Sequence, residues 1–173
     1  MKKINLFLAT SDDLRLESLE LSDLIEHLNL ILEKQDIHLY LSKWDYIGGN
    51  SINDEIEKRY DETLDKSDMS LIIYGRNFGS YQESHLKKAF EKLCDESHNL
   101  KKLYVYFQSH EKVCPDLIKF KDSFPDTYRH FSGNFIDVNS LKNDFLLQFQ
   151  LFQNEYLQNR YPIKIKNSQL TIN

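Results

Sequence analysis

The chain has 173 residues, 40 % of them apolar, and its 27 acidic and 22 basic side chains give a formal charge of −5. The length suits one domain with a single substantial core, and the acidic balance excludes a protein whose main task is to neutralise nucleic-acid phosphates. No stretch approaches the roughly 20 apolar residues that a membrane helix needs. We therefore expect a soluble, cytoplasmic protein with neither nucleic acid nor a membrane as a partner.

The first predicted element is a strand over residues 4–9. This apolar run is too short for a signal peptide, and acidic residues follow it at once. It is apolar on both faces, as central parallel strands are. Ser11 or Asp12 then offers an N-cap. Leucine and isoleucine recur at spacings of three and four up to about residue 34, which predicts a long amphipathic helix.

The middle of the chain repeats this order of strand and helix. Residues 37–41 form the second predicted strand, and a polar helix is expected over residues 53–66. Residues 70–74 are a short β-branched run closed by Gly75, which predicts the third strand. After a loop, a helix is predicted from Glu83 to about residue 95.

The second half continues in the same way, with a strand at 103–107, a helix at 116–124, a strand within 131–138 and a closing helix at 141–157. Two short apolar segments near the end, after residue 162, predict a small hairpin or the beginning of something else.

Strand and helix thus alternate five times within residues 1–160, and this predicts one α/β domain. Parallel neighbours need helical crossovers, so helices should cover both faces of the sheet. We expect a flavodoxin-like three-layer sandwich with a five-stranded parallel sheet in the order 2-1-3-4-5. Residues 161–173 are interpreted as a short β-rich tail, the start of a linker or of a following domain.

A sheet of this kind predicts where a ligand would bind. Ligands lie outside the carboxyl ends of the strands, near the point where the strand order reverses. No cysteine or histidine set has metal-ligand spacing, so no metal site is expected. The side chains that should converge at the carboxyl ends are Ser11, Asp12, Trp44, Asp45, Arg76, Phe78, Tyr81 and Glu83.

Several landmarks follow one another along residues 2–157 in an order typical of one family. They are FLATS at 7–11, Trp44-Asp45, KSDMSLII at 66–73, the glycines at 75 and 79 before a helix, and LYVYF at 103–107. Together they resemble the Toll/interleukin-1-receptor-like (TIR-like) domains. The likeness is greatest to the bacterial branch attached to defence and signalling proteins, including STAND-type nucleotide-binding proteins.

This resemblance implies an activity and a mode of action. Many bacterial TIR domains hydrolyse NAD at the nicotinamide glycosidic bond after self-assembly, so NAD would be the substrate and no cofactor is expected. It also implies self-association through TIR-like surfaces, and a C-terminal sensor or NTPase region of the same protein as a partner in antiphage defence. The hydrolysis needs a carboxylate near the ribose, because cleavage passes through an oxocarbenium-like state.

The chain departs from the family at the residue that supplies this carboxylate. The family glutamate directly precedes an apolar residue and lies four positions before a small one. Counting back from Leu86 and Ala89, that position holds His85. A neutral imidazole cannot replace a carboxylate, so Glu83 is the catalytic hypothesis, with Asp45 or Asp12 as other carboxylates that could serve.

Each of these residues also has a structural interpretation. Glu83 is expected near a helix N-terminus, where carboxylates are favoured by the helix dipole. Trp44 could stack on nicotinamide or adenine, or could simply pack under a loop. Arg76 could bind a phosphate or remain solvated. Ser11 could contact a ribose or cap the first helix, and His85 could line the substrate pocket or pack at the surface.

Three functions therefore stay open. The first is an NAD hydrolase that acts on self-assembly. The second is a TIR-like interaction module that has lost catalysis, with His85 marking the loss and with the loop 46–49 or the polar helix 53–66 as its contact surface. The third is a nucleoside deoxyribosyltransferase-like enzyme, which would share the sheet and the need for a carboxylate.

Overall fold

The structure, a computed structural model, describes residues 1–46, 54–78, 80–109, 114–123, 132–157, 163–166 and 169–172. Short 3-10 turns flank the first helix, and a turn of π-helix follows the last one. The elements are β1 (Lys2–Ser11), α1 (Arg15–Leu32), β2 (Ile37–Tyr46), α2 (Asp54–Asp65), β3 (Met69–Tyr74), α3 (Ser80–Cys94), β4 (Lys102–Gln108), α4 (Pro115–Asp122), β5 (Ser132–Phe135), α5 (Val138–Phe152), β6 (Ile163–Lys166) and β7 (Gln169–Ile172).

Strands β1 to β5 form one parallel sheet in the order β2-β1-β3-β4-β5. The predicted α/β fold of the flavodoxin-like type is therefore confirmed. β1 is paired on both sides: Leu6 lies opposite Leu41 of β2 and Met69 of β3. All six residues of β3 are buried, as expected for a strand covered by helices on both faces.

The core is divided between the two faces of the sheet. On one face, Leu6 and Leu8 pack with buried residues of α1 and α5. On the other face, Phe7 and Ala9 pack with buried residues of α2, α3 and α4. This alternation along β1 follows from the two-residue period of a strand, and it places α2 and α3 side by side on one face.

The second strand is longer than predicted. β2 continues to Tyr46, because its parallel pairing with β1 continues to the pair Ser11 and Tyr46. Trp44 and Asp45 are consequently strand residues, opposite Ala9 and Thr10, and do not belong to the following loop. Residues 47–53, which include most of the predicted contact loop 46–49, lie outside the described residues.

The starts of two helices also differ from the prediction. α3 begins at Ser80 rather than at Glu83. α5 begins at Val138 rather than at 141, because Asp137 and Ser140 form a capping box, with the Ser140 amide donating to Asp137 Oδ1 at 2.7 Å.

Two tyrosines of β4 attach α5 to the sheet. Tyr106 donates its hydroxyl hydrogen to Asp144 of α5, and Tyr104 donates to the carbonyl oxygen of Gln148 at 3.4 Å. Burial raises the pKa of both phenols above 10, so both remain protonated donors at neutral pH.

The end of the chain contains a small antiparallel pair of strands. β6 pairs with β7, with Ile163 opposite Ile172, so the predicted hairpin is present. Within the described part of the chain, none of the helices is long and apolar enough to cross a membrane.

Candidate functional site

The carboxyl end of β1 is attached to the loop between β3 and α3 through Ser11. This serine is 1 % exposed, and its Oγ accepts hydrogen bonds from the Gly75 amide and from Gln82 Nε2, both at 3.2 Å. The hydroxyl lies 3.4 Å from the carbonyl oxygen of Ile73, to which it donates. Ser11 occupies the N-cap position of the next turn without a side-chain capping bond, so its hydroxyl holds the loop instead.

Two exposed aspartates extend this attachment. Asp13 Oδ2 accepts from the backbone amide of Arg76 at 2.6 Å, and Asp12 Oδ1 accepts from Asn77 Nδ2 at 3.2 Å. The Arg76 carbonyl oxygen accepts from the Cys114 amide at 3.2 Å, which joins the loop to the start of α4. The Arg76 side chain itself is exposed. Asp12 thus binds a neighbouring loop and does not cap the first helix.

Gly75 lies directly beneath the carboxylate of Asp13. A β-carbon added at Gly75 would lie 2.4 Å from Asp13 Oδ1, well inside van der Waals contact. An alanine at this position would force the exposed carboxylate of Asp13 to move.

We expect Gly75→Ala to lower the free energy of unfolding by about 1–2 kcal/mol, because the new methyl group displaces Asp13 from the Arg76 amide. Urea denaturation of Gly75→Ala, Asp13→Ala and the double variant measures the effect. The double variant should cost less than the sum of the two single changes, since both remove the same hydrogen bond. Strict additivity would show that the two residues act independently.

His85 lies in an enclosed niche between α2 and α3. It is completely buried and stacks on the ring of Tyr60, with 3.7 Å between the ring centroids and 12° between the planes. Trp44 of β2 approaches edge-on, 5.3 Å from Tyr60 and 6.1 Å from His85. The Tyr60 hydroxyl donates to the His85 carbonyl oxygen at 3.3 Å. One strand, β2, and two helices, α2 and α3, thus enclose the imidazole.

A carboxylate reaches into this niche from α2. Glu57 Oε1 lies 2.9 Å from His85 Nε2, which therefore carries a proton. Glu57 Oε2 lies 2.5 Å from Lys88 Nζ, and Lys88 in turn lies 3.3 Å from Asp61 Oδ2. The glutamate is 27 % exposed along its side chain, so it stands at the border between the niche and solvent.

The charges in the niche follow from this geometry. Burial lowers the pKa of His85 below its ordinary 6.5, although Glu57 opposes the shift. Burial alone would raise the pKa of Glu57, but hydrogen bonds from Lys88 and His85 outweigh it, so this pKa is lowered below 4.5. At neutral pH a neutral imidazole is therefore hydrogen-bonded to an ionised carboxylate.

Glu83 lies on a different side of α3 from His85. Gln82, His85, Leu86 and Ala89 are the buried positions, and their spacing of three and four defines the inward face of the helix. Glu83 is 39 % exposed, and its Oε1 lies 2.6 Å from Lys87 Nζ, one turn along the helix. The proposed catalytic carboxylate therefore belongs to an exposed intrahelical ion pair.

Two of the remaining predicted residues have other surroundings, and the third is not described. Phe78 stacks on Phe120 of α4, with 4.6 Å between the centroids, and Tyr81 is 46 % exposed. Asp45 lies in β2, and its side chain is outside the described residues. The structure thus joins Ser11, Asp12 and the Arg76 backbone at the carboxyl edge, and Trp44 with His85 in the niche. It brings Glu83 to neither.

Four residues that shape these two groups were not selected from the sequence. They are Asp13, Glu57, Tyr60 and Gln82. Tyr60 is completely buried, and its place on an inward helical stripe could be predicted, but its contact with His85 could not. Glu57 lies three residues before it, on a neighbouring part of the same helix surface, and that spacing was the available signal.

A shallow groove of about 320 Å³ runs between α2 and α3 below the niche, lined by Asp61, Lys88, Glu91, Lys92, Asp95 and His98. Most of its charges are paired inside the chain: Lys92 contacts Asp65, and His98 Nδ1 lies 3.2 Å from the same carboxylate. Within the described ranges, no three histidine, cysteine or acidic side chains are grouped in a way that could hold a metal ion.

The fold is that of a flavodoxin-like α/β protein, and hydrogen bonds connect the carboxyl edge of its sheet to the neighbouring loops. No protein-family model matches the chain, and no curated protein has a significantly similar sequence.

Proposed function

We propose that this chain is a TIR-like signalling domain that works by associating with copies of itself, and that it does not hydrolyse NAD. The proposal rests on the family-like order of sequence landmarks together with the flavodoxin-like sheet. A sensor or NTPase region attached to the domain would control its association, as expected for a module of a defence protein.

The observation that carries this proposal is the environment of His85. The residue at the position of the family glutamate is a completely buried imidazole, stacked on Tyr60 and bonded to Glu57. A ribose cannot approach a side chain with no exposed surface, and a neutral imidazole offers no negative charge to an oxocarbenium-like centre. His85 is thus surrounded in the way that a packed core residue is.

Glu83 and Asp12, two of the other carboxylates predicted to serve, do not compensate, and the side chain of the third, Asp45, lies outside the described residues. Glu83 faces outward and is paired with Lys87. Asp12 is bonded to Asn77 at the loop. Ser11, the hydroxyl expected near a ribose, is buried and bonded within the chain. Ser11 and Asp12 thus hold the loop, and Glu83 forms an ion pair on the surface of its helix.

The test is nicotinamide release from NAD by protein that has been clustered on a multivalent scaffold, with clustering verified by light scattering. We expect no release above the buffer blank, and no change in Glu83→Gln. Turnover that disappears only in Glu83→Gln would overturn the proposal and establish a hydrolase with a shifted carboxylate. Transfer of deoxyribose between free bases, measured in parallel, would instead establish the transferase.

One observation favours a second function, NAD hydrolysis through a different carboxylate. Glu57 brings an ionised, partly exposed carboxylate to within 2.9 Å of the imidazole that replaces the family glutamate. Trp44 contacts the same niche and offers an aromatic wall. For this function, nicotinamide release should be lost in Glu57→Gln and retained in Glu83→Gln.

A further inference from the structure

β2 forms one border of the sheet, because it is the first strand in the order β2-β1-β3-β4-β5. The Lys2 amide donates to the carbonyl oxygen of Asp36, directly before β2, at 2.6 Å. The register with β1 then continues without a break from Ile37 to Tyr46. Successive residues of a strand turn their backbone groups alternately to one side and the other. The even-numbered residues of β2 therefore face β1, and the odd-numbered residues within 37–45 direct N–H and C=O outward. We call this outward row the β2 edge.

An edge of this kind can bind other chains. Its row of N–H and C=O groups is a template on which a strand from another molecule can pair. β2 is 10 residues long, against about five or six for a common strand. The β2 edge therefore has the length that a stable pairing with a second copy would need.

The side chain of Asn29, on α1, occupies this edge at Leu39. The Leu39 amide donates to Asn29 Oδ1 at 2.8 Å, and Asn29 Nδ2 donates to the Leu39 carbonyl oxygen at 2.9 Å. A side-chain amide offers a carbonyl oxygen and N–H groups, as a peptide group does. Asn29 thus supplies the two hydrogen bonds that a neighbouring strand would form with this residue. Asparagine is a poor helix former, and the contact with β2 explains its place inside α1.

α1 reaches the same strand a second time, two turns earlier. Lys43 Nζ donates to Ser22 Oγ at 3.3 Å, and Lys43 is exposed. Ser22 precedes Asn29 by seven residues, so the two side chains leave α1 on the same side. A lysine on an edge strand disfavours further pairing, because an added strand would have to desolvate its charge.

We propose that Asn29 closes the β2 edge against a strand from a second copy of this chain. An incoming strand would have to displace the Asn29 side chain. The hydrogen bonds that it formed at Leu39 would then replace two that already exist, and would bring no net gain. This role of Asn29 does not depend on the proposed function, because it restricts association to surfaces other than the β2 edge.

Sedimentation velocity of the full chain over a concentration series tests this role with Asn29→Ala and a matched control, Asn5→Ala. Both asparagines are half-buried, and Asn5 Nδ2 also donates to a backbone carbonyl oxygen, that of Lys66, at 2.9 Å. Asn5 lies on β1, however, which has a strand on each side. Alanine is a better helix former than asparagine, so α1 should stay helical in Asn29→Ala, and circular dichroism checks this.

We expect Asn29→Ala to associate at protein concentrations at least about tenfold lower than the wild type does, since a strand added at Leu39 now gains hydrogen bonds. Asn5→Ala should associate as the wild type does, and urea denaturation measures how much stability each variant has lost.

A double variant separates closure of the edge from stability. Lys43 is one of the odd-numbered residues, so Lys43→Pro removes an outward N–H and no hydrogen bond to β1. Added to Asn29→Ala, it should return association to the wild-type level. It does not restore the hydrogen bonds of Asn29, so the recovery would come from blocking the edge.

Three results would overturn the proposed role. Asn29→Ala that stays as monomeric as the wild type would show an edge that needs no closure. Equal association of Asn29→Ala and Asn5→Ala would assign the effect to lost stability. Association that persists when Lys43→Pro is added to Asn29→Ala would take place on another surface.

Discussion

Replacing Tyr60 by alanine is expected to lower the free energy of unfolding by about 3–5 kcal/mol, the range for removing a buried aromatic side chain. Tyr60 is completely buried. Its ring contacts Phe7 of β1 at 5.2 Å between centroids, Trp44 of β2 at 5.3 Å and His85 of α3 at 3.7 Å. The alanine variant therefore leaves a cavity where three elements meet.

Urea denaturation followed by tryptophan fluorescence measures this change, since Trp44 is the single tryptophan of the chain and touches the replaced ring. The matched control is Tyr60→Phe, which keeps the ring and removes the hydroxyl that donates to the His85 carbonyl oxygen at 3.3 Å. It should cost about 0.5–1.5 kcal/mol. An alanine variant no less stable than the phenylalanine variant would mean that Tyr60 does not pack as described.

The domain is expected to lose stability as the pH falls below 6.5. The pKa of His85 is lowered in the folded state because the imidazole is buried, so the unfolded chain binds its proton at a higher pH than the folded one. Stability is then complete above the unfolded pKa and is lost as pH falls towards the folded pKa. Each unit of this difference corresponds to about 1.4 kcal/mol.

The glutamate beside it adds to the loss at lower pH. The folded pKa of Glu57 is lowered by Lys88 and His85, against the effect of burial, so its contribution is present above 4.5 and disappears below it. Denaturation curves at several values between pH 7.5 and 4 measure the combined profile.

The control for the acid profile is His85→Phe, which keeps a ring against Tyr60 and removes the titrating group. Its stability should change less between pH 7.5 and 5 than that of the wild type, whatever the other histidines contribute, because those are common to both chains. Parallel profiles in this range would contradict a buried, neutral His85.

The sheet could be predicted from the sequence because its signals are local. Residues 4–9 and 70–74 are apolar runs of strand length, and each is followed by a helical spacing of leucine or phenylalanine. The strand order then follows from the rules for parallel sheets. The predicted end of β2 was wrong, because it is set by pairing with another strand. β2 continues through Trp44 and Asp45 because β1 lies beside it, and the polar residues around them gave no indication of this.

The candidate site could be predicted only as a region. The carboxyl ends of the strands do bring Ser11, Asp12 and the Arg76 backbone together, as the topology requires. The start of α3 at Ser80 was not accessible, so Gln82 was assigned to the preceding loop rather than to the inward face of the helix. His85 and Glu57 are 28 positions apart and lie on two different helices, so no local sequence pattern predicts their contact.

The central position of β1 also has a consequence for how the chain folds. A helical crossover connects β1 to β2, which pairs with one edge of β1. The other edge pairs with β3, where Leu6 lies opposite Met69, 63 positions later in the chain. Contacts of such long range close slowly, because a large loop must be ordered before the pairing compensates for it. One edge of β1 therefore remains uncovered until α2 and β3 have been synthesised, and during that time its apolar residues are exposed to other chains.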